Sequence, residues 1–171
     1  KRLLWHALRH LGVQPEFLCE QDVANGELAD YKVLFLTDQC VARAASTAIE
    51  EWVASGGVLY CSALAASRDE YNDPQTTLAF CQGIWSPEPD DVTKERHRYN
   101  ERVDLPEKAP ITRAAVKLPG WQHEIALPVL GQMHRVRPDQ SEVVGRFEDG
   151  DVAAVLRQHE RGSVLYLGFL P

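Results

Sequence analysis

Residues 31–63, YKVLFLTDQCVARAASTAIEEWVASGGVLYCSA, read as strand, loop, helix, glycine turn and strand. Val33 to Thr37 is a continuous apolar run of the kind that suits a strand covered on both faces. From Val41 the apolar positions fall at Ala45, Ala48, Ile49, Trp52 and Val53, the spacing of one helical stripe. Gly56-Gly57 ends that helix, because glycine takes the left-handed conformation past a helix C-terminus at little cost. Val58 to Cys61 is the second apolar run. Two strands joined by a helical crossover lie parallel, and Leu34, Leu36, Val58 and Leu59 are expected to be buried. In open α/β sheets, ligands bind just past the carboxyl ends of such strands. That rule makes Asp38, Gln39, Cys40 and Ser62 the candidate sheet-edge site.

Outward from this unit, the 171 residues fit a single domain spanning 1–171 with enough chain to bury a core. Charged residues at 25% and hydrophobic ones at 44% indicate a globular chain. A net charge of -7 argues against nucleic acid or an anionic membrane as partner, since both select a basic face. No apolar run reaches membrane-span length, and nothing resembles a signal peptide, so a soluble domain is expected, with the cytoplasm favoured. The chain starts at Lys1 inside a helical pattern and stops at Pro171 just after a strand pattern, as a segment of a longer protein would.

Cys19, Cys40, Cys61 and Cys81 form no C-x-x-C pair, so neither a structural zinc nor a disulfide framework is expected. His6 and His10 are four apart on the first predicted helix, but no carboxylate at helical spacing completes a metal site. No metal and no cofactor are therefore expected. The first helix should bury Leu4, Leu8 and Leu11 and stop at Gly12. Pro15 to Cys19 reads as a brief strand, and Thr76 to Cys81 as a short helix introduced by Asp73 and Pro74.

Between about 84 and 124 the chain is charged and punctuated by proline, an irregular excursion; its KERHRYNER run is balanced by surrounding acids and reads as solvated surface. Trp85, Tyr99 and Trp121 fall in this region and are open either to stacking on a sugar face or to packing in an interface. From Ile125 the pattern is β, with strands expected at 125–130, 132–136, 142–147, 152–158 and 163–169. Glycines at 150 and 162 are expected to supply the positive φ of two hairpin turns.

Taken in order, LRHLGVQPEFL, LADYKVLFLT, IEEWVASGGVLYCSA, TTLAFCQGI and RFEDGDVAAVLRQHERGSVLYLGFLP resemble the class I glutamine amidotransferase-like superfamily. Within it the likeness is to the trimerisation-type domain of beta-galactosidases. The resemblance implies a flavodoxin-like three-layer α/β sandwich with a mainly parallel core sheet and a C-terminal antiparallel extension. It implies a non-catalytic accessory or oligomerisation domain of a glycoside hydrolase or other carbohydrate-related protein. The partners would be other domains or subunits of the parent protein, and carbohydrate.

The catalytic branches of the superfamily carry a nucleophilic cysteine where Cys61 stands, which leaves open a cysteine-dependent hydrolase or amidotransferase. Their pattern is incompletely met. Ala63 occupies the place of the elbow glycine, and His123-Glu124 and His159-Glu160 replace the H-x-E of a base and its orienting acid. A sugar-binding module using the aromatic residues of the excursion is a further alternative.

Overall fold

The computed structural model describes residues 2–75, 78, 112–129, 133–134 and 136–169. Helix α1 (Arg2–His10) and the short α2 (Glu20–Ala24) lead, through a 3-10 turn at Glu27–Asp30, into strand β1 (Val33–Leu36). Helix α3 (Arg43–Ala54) and β2 (Val58–Cys61) follow. The remaining strands are β3 (Thr112–Val116), β4 (Ile125–Val129), β5 (Glu142–Phe147), β6 (Val152–His159) and β7 (Gly162–Leu167). Together they form one seven-stranded sheet in the order β1-β2-β7-β6-β5-β3-β4.

The crossover is as the sequence predicts. β1 and β2 run parallel, with Leu34 opposite Leu59 and Leu36 opposite Cys61. α3 ends in a Schellman arrangement: Gly57 N–H donates to the Trp52 carbonyl and Gly56 N–H to that of Val53, with Gly56 at φ +124°. Ala45, Ile49, Trp52 and Val53 are buried against Leu36, Leu59, Cys61, Val164 and Tyr166. On the sheet's other side a second cluster joins Val116, Val129, Val144, Phe147, Leu167 and Phe169.

Several expectations are corrected. The fold is α/β, but its sheet is mixed and not the mainly parallel core of a flavodoxin-like three-layer sandwich. Among the described strands only β1, β2 and β7 run parallel; β5 and β6 supply the expected C-terminal antiparallel extension, and β3 and β4 carry the antiparallel part further than expected. The cause is local, because the short β5–β6 and β6–β7 connections can join only antiparallel strands. β3 lies inside the stretch expected to be irregular. Pro128 is accommodated because β4 is the last of the described strands, where a missing donor costs no ladder bond.

Residues 15–19 make no strand. In the stretch 132–136, the described residues show an isolated bridge from Met133 to Phe169 and a Val136 N–H bond to the Val152 carbonyl. The β6–β7 turn takes its left-handed residue from Glu160 (φ 50°) rather than from Gly162, whose place is explained by crowding below. The expected helix at 76–81, together with Trp85 and Tyr99, lies outside the described residues apart from Leu78.

Burial departs from expectation on one flank. Leu36 and Leu59 are buried, but Leu34 is only half-buried and Val58 is exposed. Leu11, expected in the buried stripe of α1, is 78% exposed.

Candidate functional site

The carboxyl ends of β1 and β2 open into two loops that are knitted together. Ala66 N–H donates to the Asp38 carbonyl (2.7 Å), Arg68 N–H to that of Gln39 (3.0 Å), and Val41 N–H to that of Arg68 (2.9 Å). Cys40 and Arg68 form an isolated parallel bridge, so the sheet is extended here by one residue pair. To follow this path the chain holds Leu64 (φ 66°) and Ala66 (φ 52°) in the left-handed region. That conformation costs a non-glycine residue about 1 to 2 kcal/mol, and the interloop bonds hold it.

Beneath this seam lies Asp69, a carboxylate only 1% exposed. Its Oδ1 accepts the N–H groups of Tyr71 and Asp73, both at 2.9 Å. Its Oδ2 accepts Arg43 Nε at 2.8 Å and pairs with the Arg43 terminal nitrogen at 2.6 Å. Burial pushes this carboxyl up, but the Arg43 hydrogen bond and the two backbone donors outweigh it and hold it below its ordinary value. The same contact raises the Arg43 guanidinium, which also stands over the Tyr71 ring.

Two other acids, distant in sequence, finish the start of α3. Glu20 accepts the Ala42 N–H (2.9 Å) and Glu70 the Arg43 N–H (2.8 Å), giving free helix donors the negative partners they favour. Gln75 Nε2 closes the inside of the seam by donating to the Val41 carbonyl and to Ser46 Oγ. Sequence reasoning does not single out Asp69, Arg43, Glu70 or Gln75. For Asp69 and Glu70 the signal is the turn-rich RDEYNDP run, whose acids read as ordinary surface residues; Arg43 and Gln75 carry none of their own.

The candidate residues fall into two groups. Asp38, Gln39 and Cys40 are exposed at the rim. Ser62 is 1% exposed, and its Oγ, like that of Ser67, is buried without a hydrogen-bond partner among the described residues. Cys61 is a strand residue, flanked in register by Leu36 and Tyr166, and is 0% exposed within the core beneath α3. The left-handed residues come three and five positions after it, and Ala63, expected at the elbow, is not among them.

The described histidines are dispersed: His6 and His10 on α1, His123 before β4, His134 beneath the end of β7, and His159 at the β6–β7 turn. No group of three metal-ligating side chains occurs among the described residues, and no described helix is long and apolar enough to cross a membrane. Asp69, with its oxygens committed to the turn and to Arg43, is built to hold the seam rather than to move a proton.

Neither a protein-family model nor a curated protein matches the chain. Solved structures do. A cold-adapted beta-galactosidase from Rahnella sp. R3 superposes with a TM-score of 0.63 at 15% identity, over 86% of this chain and 21% of its own. The beta-galactosidase of Bacillus circulans gives 0.62 at 16% identity, over 85% and 21%. A cytoplasmic protein from Salmonella typhimurium gives 0.60 at 21% identity, over 96% and 73%. At these identities the likeness is one of fold. The chain spans about a fifth of the length of the beta-galactosidases it matches.

Proposed function

We propose that the chain is a non-catalytic accessory or oligomerisation domain of a glycoside hydrolase or other carbohydrate-related multidomain protein. The observation that carries this reading is the asymmetry of the superpositions, which take in 85% or more of this chain but only about 21% of each of two beta-galactosidases. The finer assignment, a trimerisation-type domain of the glutamine amidotransferase-like superfamily whose parallel part is flavodoxin-like, is supported by the parallel β1–β2–β7 unit and its α3 crossover. Its partners are other domains or subunits of the parent protein, and exposed apolar side chains such as Val33, Phe35, Val58 and Ile125 suit such packing. Carbohydrate contact through Trp121, which is exposed, is a secondary proposal. We take the domain as soluble and favour the cytoplasm, on the likeness to the cytoplasmic protein from Salmonella typhimurium.

The alternative, a cysteine-dependent enzyme using Cys61, is disfavoured by the full burial of that side chain. The test is to assay the 171-residue chain for hydrolysis of a nitrophenyl galactoside and of glutamine. Neither should turn over. Steady release of ammonia from glutamine, abolished in Cys61→Ser, would replace the accessory reading with the enzyme.

A further inference from the structure

Helix α3 covers only part of its side of the sheet. Its buried residues pack over β1, β2 and β7, against Leu36, Leu59, Cys61, Val164 and Tyr166. Further across, the side chains of β3 alternate. Ala114 and Val116 belong to the core on the opposite side, so Arg113, Ala115 and Lys117 point to the α3 side. Arg146 joins them: it stands directly opposite Ala115, and its neighbour Phe147 turns into the opposite core. On β4, Ala126 and Pro128 alternate in the same way with Leu127 and Val129. Arg113, Lys117, Arg146, Ala126 and Pro128 are all exposed. A helix is about 10 Å across, so this open half lies one helix diameter below the outer side of α3.

The two halves carry opposite, uncompensated charge. Arg146 is diagonal to both Arg113 and Lys117, about 7 to 8 Å away in an ordinary sheet, so like charges crowd here. Arg113 and Lys117 pair with no carboxylate among the described residues, and Arg146 Nη1 donates to the Gly150 carbonyl. α3 has the reverse imbalance. Glu50 and Glu51 stand towards its C-terminal end, where the helix dipole disfavours acids, and its last turn holds no basic residue. The Arg161 N–H reaches that end, bonding the Ala54 carbonyl, yet neither glutamate is ion-paired among the described residues. Along the outer side of α3, Ala44, Thr47 and Ala48 are short, which permits close approach.

We propose that the open half of the sheet receives α3 of a second copy of this chain, with its Glu50 and Glu51 set against Lys117, Arg146 and Arg113. The contact rests on the oligomerisation reading and names the surfaces that meet. Charge selects the occupant. A second copy brings an acidic helix end to the cations and so relieves both imbalances at once. A polyanion such as nucleic acid would meet the same cations but would be repelled by a chain of net charge -7, and it leaves the acids of α3 uncompensated. Depth agrees with charge, since one helix fills the step beside α3.

The experiment is sedimentation of the full chain. The parent should associate at about 0.02 M salt and dissociate at about 0.5 M, as a contact between exposed charges does. Arg113→Glu with Arg146→Glu, or Glu50→Lys with Glu51→Lys, should weaken association about tenfold or more. The chain carrying all four changes should regain it, because both surfaces have then exchanged sign. A parent that stays monomeric at low salt, or a fourfold variant that does not regain association, would overturn the proposal. Association undiminished by either reversal would overturn it too, while leaving oligomerisation through another surface standing. The accessory reading itself would fall separately, by turnover of glutamine or galactoside. Where a reversal impairs folding, carbodiimide crosslinking of the parent decides instead. A mixture of ordinary and isotope-labelled chains should yield an amide between Glu51 of one copy and Lys117 of another; its absence from the associated chain would overturn the contact.

Discussion

Gly57 lies flat against the indole of Trp52: a Cβ added at position 57 would come closer than 3.0 Å to three carbons of the ring. The indole has no room to yield, since it is buried and its Nε1 donates to the Tyr31 carbonyl at 3.2 Å. Gly57 therefore does more than follow a helix end; its missing side chain lets α3 turn tightly into β2. Gly57→Ala should destabilise by about 1 to 3 kcal/mol, the usual range for overpacking a filled core. The check is the midpoint of urea unfolding, with an unchanged slope showing that the native state remains compact.

Gly162 gives a sharper contrast. A Cβ there would stand under 3.0 Å from the carbonyl oxygens of Val53 and Gly57, where the end of α3 crosses the start of β7. Gly150 has positive φ (+91°) but nothing within 4 Å of where a Cβ would stand. Alanine at 150 meets only backbone strain of about 1 to 2 kcal/mol. Alanine at 162 must push the backbone of β7 away from the end of α3 and should cost more. If the two variants unfold at the same urea concentration, the close approach of α3 to β7 is not what selects glycine at 162.

These glycines show how far the sequence carries and where it stops. The Gly56-Gly57 pair announces a helix end because that signal is local, and the short β5–β6 and β6–β7 connections announce antiparallel pairing for the same reason. Crowding at Gly162 depends on Val53, which is far away in the chain. The five residues of β3 lie close to prolines and carry two alanines, too little apolar contrast to stand out. Val33 and Val58 sit in apolar runs, yet a run records only that both faces tolerate apolar residues, not that both are covered. The seam at the sheet edge is least legible, because an aspartate in a turn reads as surface until Arg43 is seen to lie beside it.

That aspartate predicts an acid limb of stability. Asp69 binds its proton less tightly in the folded chain than in the unfolded one, since Arg43 and two backbone donors hold its carboxylate. Its contribution is therefore complete above the unfolded carboxyl value of about 3.9 and drains away as pH falls through the lower folded value. Asp69→Asn retains an oxygen for the Tyr71 and Asp73 N–H groups but loses the ion pair. The variant should be less stable than the parent at pH 7, with the gap closing below about pH 4. A gap that stays constant from about pH 7 to about pH 3 would show that the charge at Asp69 contributes nothing.

The cysteines offer a direct reading of whether the sheet edge is a scaffold or a reactive site. Cys19 and Cys40 are exposed thiols, whereas Cys61 is buried, held in β2 between Leu36 and Tyr166. Alkylation requires the reagent to reach a thiolate, so a side chain sealed beneath α3 reacts only when the domain opens. In folded chain treated with iodoacetamide at about pH 8, Cys19 and Cys40 should label within minutes. Cys61 should label at a rate that tracks global unfolding, rising steeply with urea and falling with any stabilising substitution. Peptide mass mapping separates the three sites. Labelling of Cys61 in the native chain as fast as that of Cys40, and persisting at about pH 6, would mean that the thiol is activated and reachable. In that case the packing of β2 beneath α3 would have to open on a functional timescale, and the catalytic reading of Cys61 would regain its footing.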